Sequence, residues 1–419
     1  MSEIPVTGST SDESPKLVRQ MGFVLLTLYG LSVTVGAGIY VLVGEVAQLT
    51  GGLTPLAFVG ASLLISFSAA SYAELSARFP VSAGEAAYIE AGLKSPALAV
   101  VAGLLVAFAG IVSSAALLRG GAGYVTEFIA ADEVVVALML GLLIGAIAMW
   151  GIKQAAWTAA ILGLFEVGLL VVIVAFGLMS PEQVASGFEK MVHAPQAGAL
   201  AGFSSAVLIA FFAYIGFEDL VNVAEEVKEP TRTMPRAIAA TLVITAILYF
   251  LVALVAISFL SIDDLAQSSA PMTLLFSRLT GGGGEIVTLV AIFAVLNGVL
   301  VQLIMASRVV YGLSRMGHLP KVLGRVNAVT RTPLFATALA LFIALVLSTT
   351  SGTAVLAQLT AGLTLLVFAF VNLALLRMKL AKIGGADGIE VPIWVPAVGF
   401  AVSLCFVAYE VSRKVMAVW

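Results

Sequence analysis

The sequence predicts an all-α polytopic membrane protein built as an inverted repeat, and three observations carry that prediction. Apolar residues make up 61% of the 419-residue chain and charged ones only 11%, with a mean hydropathy of +1.10, far more apolar matter than one soluble core requires. Runs of roughly 18 to 27 mostly apolar residues recur along the whole length, each long enough at 1.5 Å per residue to cross a hydrocarbon layer of about 30 Å. Two of these runs are broken by glycine, at Gly36-Ala37-Gly38 and at Gly216. An unwound segment in lipid exposes backbone groups at several kcal/mol each, so such breaks persist where protein, water or a ligand satisfies them. Paired interruptions in corresponding halves of a chain point to a transporter's binding site.

The segments follow in order. Residues 1–22 are polar, with Lys16 and Arg19 close to the first apolar run. They lack the apolar core and small-residue cleavage site of a signal peptide and read as a cytoplasmic tail. Candidate spans lie at 23–49, 54–79, 95–120, 133–150, 157–179, 200–224, 236–260, 285–311, 333–350, 353–377 and 392–411. With the N-terminus cytoplasmic, Arg119, Lys190, Arg278, Arg413 and Lys414 fall outside and the other sixteen of the 21 Lys and Arg fall inside, as the positive-inside rule requires. Eleven spans place the C-terminus outside.

The first ten spans divide into fives around the polar stretch 180–199, and an odd number per half inverts the second half. The first repeat is 23–180, the second 200–380, and the additional C-terminal helix lies in 381–419. Residues 80–88 are amphipathic and suit a short interfacial helix. Prolines in 224–235 stop one helix and start the next. An outside loop at 263–280 is a candidate cover. The four glycines 281–284 lack the Lys-Ser or Lys-Thr of a phosphate loop and read as a hinge.

Composition excludes other classes. The lone Cys405 allows no intrachain disulfide, and no basic groove suggests nucleic acid. No Ser-His-Asp, H-E-x-x-H or paired-cysteine pattern marks an enzyme, and no cofactor or metal is expected.

Chemistry concentrates at the breaks. Gly36, Ala37 and Gly38 let the backbone open and a ligand approach, and the half-helix beginning near Ile39 aims its positive end at the gap, where a substrate carboxylate fits. Close packing between helices is the equal alternative for small residues taken alone. The second break, Phe212-Ala213-Tyr214-Ile215-Gly216-Phe217, adds aromatic bulk, with Tyr214 and Phe217 as walls of a side-chain pocket. Carbonyls of Thr34, Val35 and residues 212–214 suit an ammonium group. Glu166 lies about 13 Å into the fifth span at 1.5 Å per residue, and an acid at that depth is a functional candidate by default, here for loading a proton. Glu218 is a second coupling candidate, as gate, proton site or counter-charge. Glu74 and Arg78, four residues apart, suit a local ion pair. Asn297, Gln302 and Ser307 give the eighth span a polar face.

At these residues the chain resembles the amino acid–polyamine–organocation (APC) superfamily of secondary transporters. The resemblance rests on VGAGIY at 35–40, YAELSARFPVSAGEAAY at 72–88, FFAYIGFED at 211–219, AEEVKEPTRTMPRAI at 224–238 and SRVVYGLSRMGHLP at 307–320. It implies a LeuT-like 5+5 inverted repeat with discontinuous first and sixth helices, alternating access, and an amino acid held between the breaks. Its carboxylate would meet the amides of 36–38 and its ammonium the carbonyls near both breaks. The sequence departs from the family in two ways: many relatives have twelve spans, and several sodium-independent ones carry a lysine where this chain has Glu166. The expected function is proton-coupled transport of L-amino acids across the plasma membrane, with sodium or no ion as alternatives. A polyamine or other organic-cation carrier is the second reading, relying on acids and aromatic faces. A receptor or accessory subunit that does not transport is the third.

Overall fold

A computed structural model describes residues 18–82, 84–126, 131–193, 199–268, 271–282, 284–383 and 389–418. Residues 1–17 of the expected tail and Gly283 of the hinge lie outside the described residues. The chain enters through α1 (Phe23–Thr34) and α2 (Ala37–Thr50), followed by α3 (Thr54–Arg78), α4 (Gly84–Leu93), α5 (Pro96–Thr126), α6 (Glu133–Trp150) and α7 (Ile152–Leu178). After α8 (Pro181–His193) comes α9 (Ala199–Phe212), which passes into a 3₁₀ helix, Phe217–Glu226. The remainder is α10 (Pro230–Phe259), α11 (Ile262–Gln267), α12 (Pro271–Thr280), α13 (Gly284–Arg315), α14 (Leu334–Thr350), α15 (Thr353–Leu380) and α16 (Trp394–Val418).

The protein is a multi-pass, all-helical membrane protein. Among the described residues, eight stretches are long and apolar enough to cross a bilayer, and α14 and Trp394–Ala408 are shorter apolar helices. The expected spans coincide with helices throughout: 23–49 is divided between α1 and α2, and 200–224 between α9 and the 3₁₀ helix. Leu63, Met139, Leu142, Val243, Ile247 and Phe342 are exposed, an apolar exterior that lipid, not water, would solvate.

The packing has an internal correspondence. α3 lies on α10, α5 on α13, α6 on α14 and α2 on α9. The contact of α1 with α10 is matched by that of α3 with α9, and α5 with α15 by α13 with α7. Exchanging the first five spans with the second five carries the first four contacts into themselves and interchanges the members of the other two pairs. α16 packs on α15 and α3, at the edge of that arrangement.

Three connections differ from the sequence reading. The helix expected over 80–88 begins at Gly84 and runs to Leu93, and it is buried rather than interfacial, with Glu85, Tyr88 and Ile89 at 1% exposure or less. Its burial follows from close contact with α15: a Cβ on Gly92 would lie 2.6 Å from the Ala374 carbonyl oxygen. α10 starts at Pro230 instead of 236 and accommodates Pro235 inside the helix at the loss of one backbone bond. The loop expected to lie outside holds two short helices, α11 and α12, which pack on α2.

Glu74 does more than pair locally. Fully buried, it accepts from Arg78, from Lys379 Nζ on α15 at 2.8 Å, and from the Val391 amide at 2.7 Å. It therefore ties α3 to α15 and to the segment that leads into α16. Glu74→Ala is expected to destabilise the protein by about 3–5 kcal/mol, because the two cations stay largely buried without their acid. A thermal unfolding midpoint in detergent equal to that of the unaltered protein would contradict this.

Candidate functional site

The two breaks face each other. α1 ends at Thr34, Val35 leaves the helical region at φ −87° and ψ 61°, and Gly36 is extended before α2 begins. Across from it α9 ends at Phe212, and Ala213 and Tyr214 make tight-turn bonds to Ala210 and Phe211. Gly216 then takes φ +128°, a conformation that favours glycine. Contact is intimate: a Cβ on Gly38 would lie 2.8 Å from Ala213 Cα, and one on Gly216 would lie 3.0 Å from the Val33 carbonyl oxygen.

Tyr249 of α10 joins the breaks. Its hydroxyl lies 3.0 Å from the Thr34 carbonyl and 3.0 Å from the Ala213 carbonyl, one O–H shared by the two acceptors that unwinding exposes. Each carbonyl keeps a second lone pair for a ligand. Tyr249→Phe leaves both buried acceptors without this donor and is expected to cost about 1–3 kcal/mol, seen as a lower unfolding midpoint in detergent. An unaltered midpoint would show that the hydroxyl does not stabilise the breaks.

A cavity of about 340 Å³ opens along the breaks, lined by Thr34, Gly36, Gly38, Ala213, Ile215 and Gly216 among others. That volume lies at the lower end of small-molecule sites, about 300–1,000 Å³. No side chain caps the N-terminus of α2 at Gly36, so its first amides and the positive end of its dipole face a space that suits a carboxylate.

Other residues singled out in the sequence stand back from this space. Val35 and Ile39 are fully buried in the apolar core. Tyr214 is also buried, its hydroxyl donating to the Phe58 carbonyl at 3.0 Å, and its ring meets Tyr249 edge-on. Phe217 packs against Tyr72 and Phe368, and of these three rings Phe368 lines the cavity. The side chains of Ala37 and Phe212 lie outside the described residues.

Glu166 approaches α1 from α7. Its carboxylate is buried, with Oε1 accepting from Asn297 Nδ2 at 3.0 Å. The same amide nitrogen donates to the Ser32 carbonyl at 2.6 Å, and the Tyr40 hydroxyl donates to the Glu166 carbonyl at 2.8 Å. Glu166 Oε2 and Asn297 Oδ1 have no partner. Both hydrogens of an amide nitrogen are thus assigned while two buried acceptors remain, a shortage that one proton on the acid relieves. Glu218 sits beside the second break, its Oε2 accepting from the Gly216 amide at 2.7 Å.

A set of bonds joins the segment before α1 to the end of the 3₁₀ helix. The amides of Gln20 and Met21 donate to the Glu226 carbonyl at 2.8 and 3.0 Å, and the Lys228 amide to the Met21 carbonyl at 2.8 Å. Beside them Arg308 Nε donates to Glu226 Oε1 at 2.8 Å, both side chains being buried. The amide of Ser82 and the hydroxyl of Tyr311 hold Glu225. Nothing in the residue pattern marks Tyr249 or this set of bonds, whose members are far apart along the chain.

The chain is also similar to known proteins. Residues 22–413 match the family model described as "Amino acid permease". The chain is similar to the branched-chain amino acid permease BcaP of Bacillus subtilis, 28% identical over 348 residues, 78% of this chain and 74% of that protein. BcaP of Lactococcus lactis is 28% identical over 422 residues, covering 92% and 88% of the two chains. The vacuolar cationic amino acid transporter 4 of Arabidopsis thaliana is 30% identical over 394 residues, 88% of this chain but 64% of the plant protein, so the chain spans less than two thirds of that relative.

Proposed function

The chain belongs to the amino acid permease family, and from that premise we propose that it is a secondary active transporter moving L-amino acids across the plasma membrane by alternating access. The observation that carries the reading is the uncapped N-terminus of α2, whose glycines line a cavity shared with the second break. The substrate carboxylate binds the first amides of α2, and its ammonium binds carbonyls of both breaks beside the Tyr249 hydroxyl. The repeats are 23–180 and 200–380, and the helix in 381–419 is peripheral. The N-terminus is cytoplasmic, so the bonds among Met21, Glu226 and Arg308 close the cytoplasmic side, and moving α1 against the 3₁₀ helix opens it.

Transport is coupled to a proton carried by Glu166. The unmatched acceptors Glu166 Oε2 and Asn297 Oδ1 support this, as does the contact of Asn297 with the Ser32 carbonyl just before the break. Protonation at Glu166 thereby bears on the geometry of α1, the helix that must move.

A competition assay tests the substrate assignment. Leucine and lysine are expected to displace a labelled amino acid from the purified protein, and their carboxamides to bind at least about tenfold more weakly, since each loses a charge-assisted bond. The second reading, an organic-cation carrier, is favoured by Glu85, Glu218 and Asp219, which line the cavity. Amides and diamines that bind as well as the free amino acids would establish it.

A further inference from the structure

The lining of the cavity includes acids to which the proposed carboxylate and ammonium contacts give no role. Glu85 from α4 lines the cavity together with Glu218 and Asp219 from the 3₁₀ helix, and no lysine, arginine or histidine lines it among the described residues. These acids lie within electrostatic reach of one another. Their hydrogen-bond partners are all neutral: Asn222 Nδ2 donates to Glu85 Oε1 at 3.2 Å, Gln302 Nε2 to Asp219 Oδ2 at 2.7 Å, and the Gly216 amide to Glu218. Glu85 Oε2, on a side chain 1% exposed, has no partner.

Among the described residues, the elements around α4 bring no cation to Glu85. Tyr72 of α3 and Tyr88 of α4 itself bring phenols, and from α5 and α15 the cavity receives Val106, Ala109 and Phe368. On α3, Glu74 is taken by Arg78 and Lys379. Arg308 of α13 is bound to Glu226, His318 to Glu90, and Arg377 of α15 to the Leu93 carbonyl at the far end of α4. Buried carboxylates without a paired cation are costly, so these acids take up positive charge.

We propose that Glu85, Glu218 and Asp219 together hold one positive charge, supplied by the side-chain ammonium or guanidinium of a cationic amino acid, or by a proton that travels with a neutral one. The proposal rests on the amino acid reading and deepens it: a substrate cation and a proton compete for one place. Cationic and neutral amino acids then move the same total charge, and the neutral one brings one proton more. Burial, reinforced by Glu218 and opposed by the bonds from its own amide and from Asn222, raises Glu85 to about 8. A proton on it is therefore retained below about pH 8 and lost above.

Lysine and norleucine share a carbon chain and differ in the terminal ammonium, so they test the proposal on the unaltered protein. In proteoliposomes carrying a pH dye and recorded for current, norleucine is expected to import one proton more than lysine at equal charge per molecule. Norleucine uptake falls more steeply than lysine uptake as the pH on the substrate side rises through about 8. Glu85→Gln is expected to lower the preference for lysine over norleucine by about tenfold or more, the loss of a bond to a charged group, and to remove the step near pH 8. Equal proton flux for the two substrates would overturn the proposal, as would norleucine uptake that follows a sodium gradient. If neither amino acid displaces the labelled one, the substrate reading itself fails.

Discussion

Replacing Gly38 by alanine is expected to reduce amino acid uptake by about ten- to a hundredfold. The added Cβ would lie 2.8 Å from Ala213 Cα and 3.1 Å from its Cβ, and the obstacle is the backbone of the opposite break, not a side chain that can rotate away. Relief requires the breaks to part. Overpacking of this kind costs about 1–3 kcal/mol, and every 1.4 kcal/mol is about tenfold in binding. Gly36→Ala is the matched control: its nearest neighbour would be the Val33 carbonyl oxygen at 3.7 Å, an ordinary contact that leaves the packing of the breaks intact. Uptake in proteoliposomes, with unfolding midpoints in detergent to separate folding from function, should place Gly38→Ala well below Gly36→Ala. Equal, mild effects would mean that the breaks need not touch for transport.

Glu166→Gln is expected to abolish proton-driven accumulation while leaving downhill exchange in place. Glutamine has the size of the protonated acid and cannot release a proton. It keeps an acceptor for Asn297 and can offer a donor toward the acceptors that have none. Lysine is the informative substrate, because its side chain supplies the charge at Glu85, Glu218 and Asp219. At zero membrane potential, a one-unit pH gradient carries about 1.4 kcal/mol per proton, or about tenfold accumulation. The unaltered protein should reach that order and the variant a ratio near one. Undiminished accumulation in Glu166→Gln would remove Glu166 from coupling.

Much of this arrangement is legible in the sequence because glycine and charge are conspicuous in apolar runs. Gly36, Gly38 and Gly216 mark both breaks within a residue or two, and Glu166 stands out as an acid among apolar neighbours. What binds the parts together is harder to read. Tyr249 looks like any aromatic residue of α10, and its role depends on lying 3.0 Å from carbonyls of two different segments. Glu85 sits in a stretch whose amphipathic pattern suits a membrane surface, and only the packing of α4 against α5 and α15 turns it inward. Tyr214 and Phe217 show the converse. Their position in the broken segment suggests pocket walls, whereas the turn at Ala213–Gly216 directs one ring toward Phe58 and the other behind Phe368. Side-chain direction after a break depends on dihedral angles that local composition does not specify.

The most direct test is a structure of the protein with a bound amino acid. The α-carboxylate is expected within hydrogen-bonding distance, about 2.7–3.2 Å, of the backbone nitrogens at positions 37 and 38, with the side chain directed toward Glu85. A carboxylate found away from the N-terminus of α2 would contradict the assignment of the two glycine breaks as the substrate site.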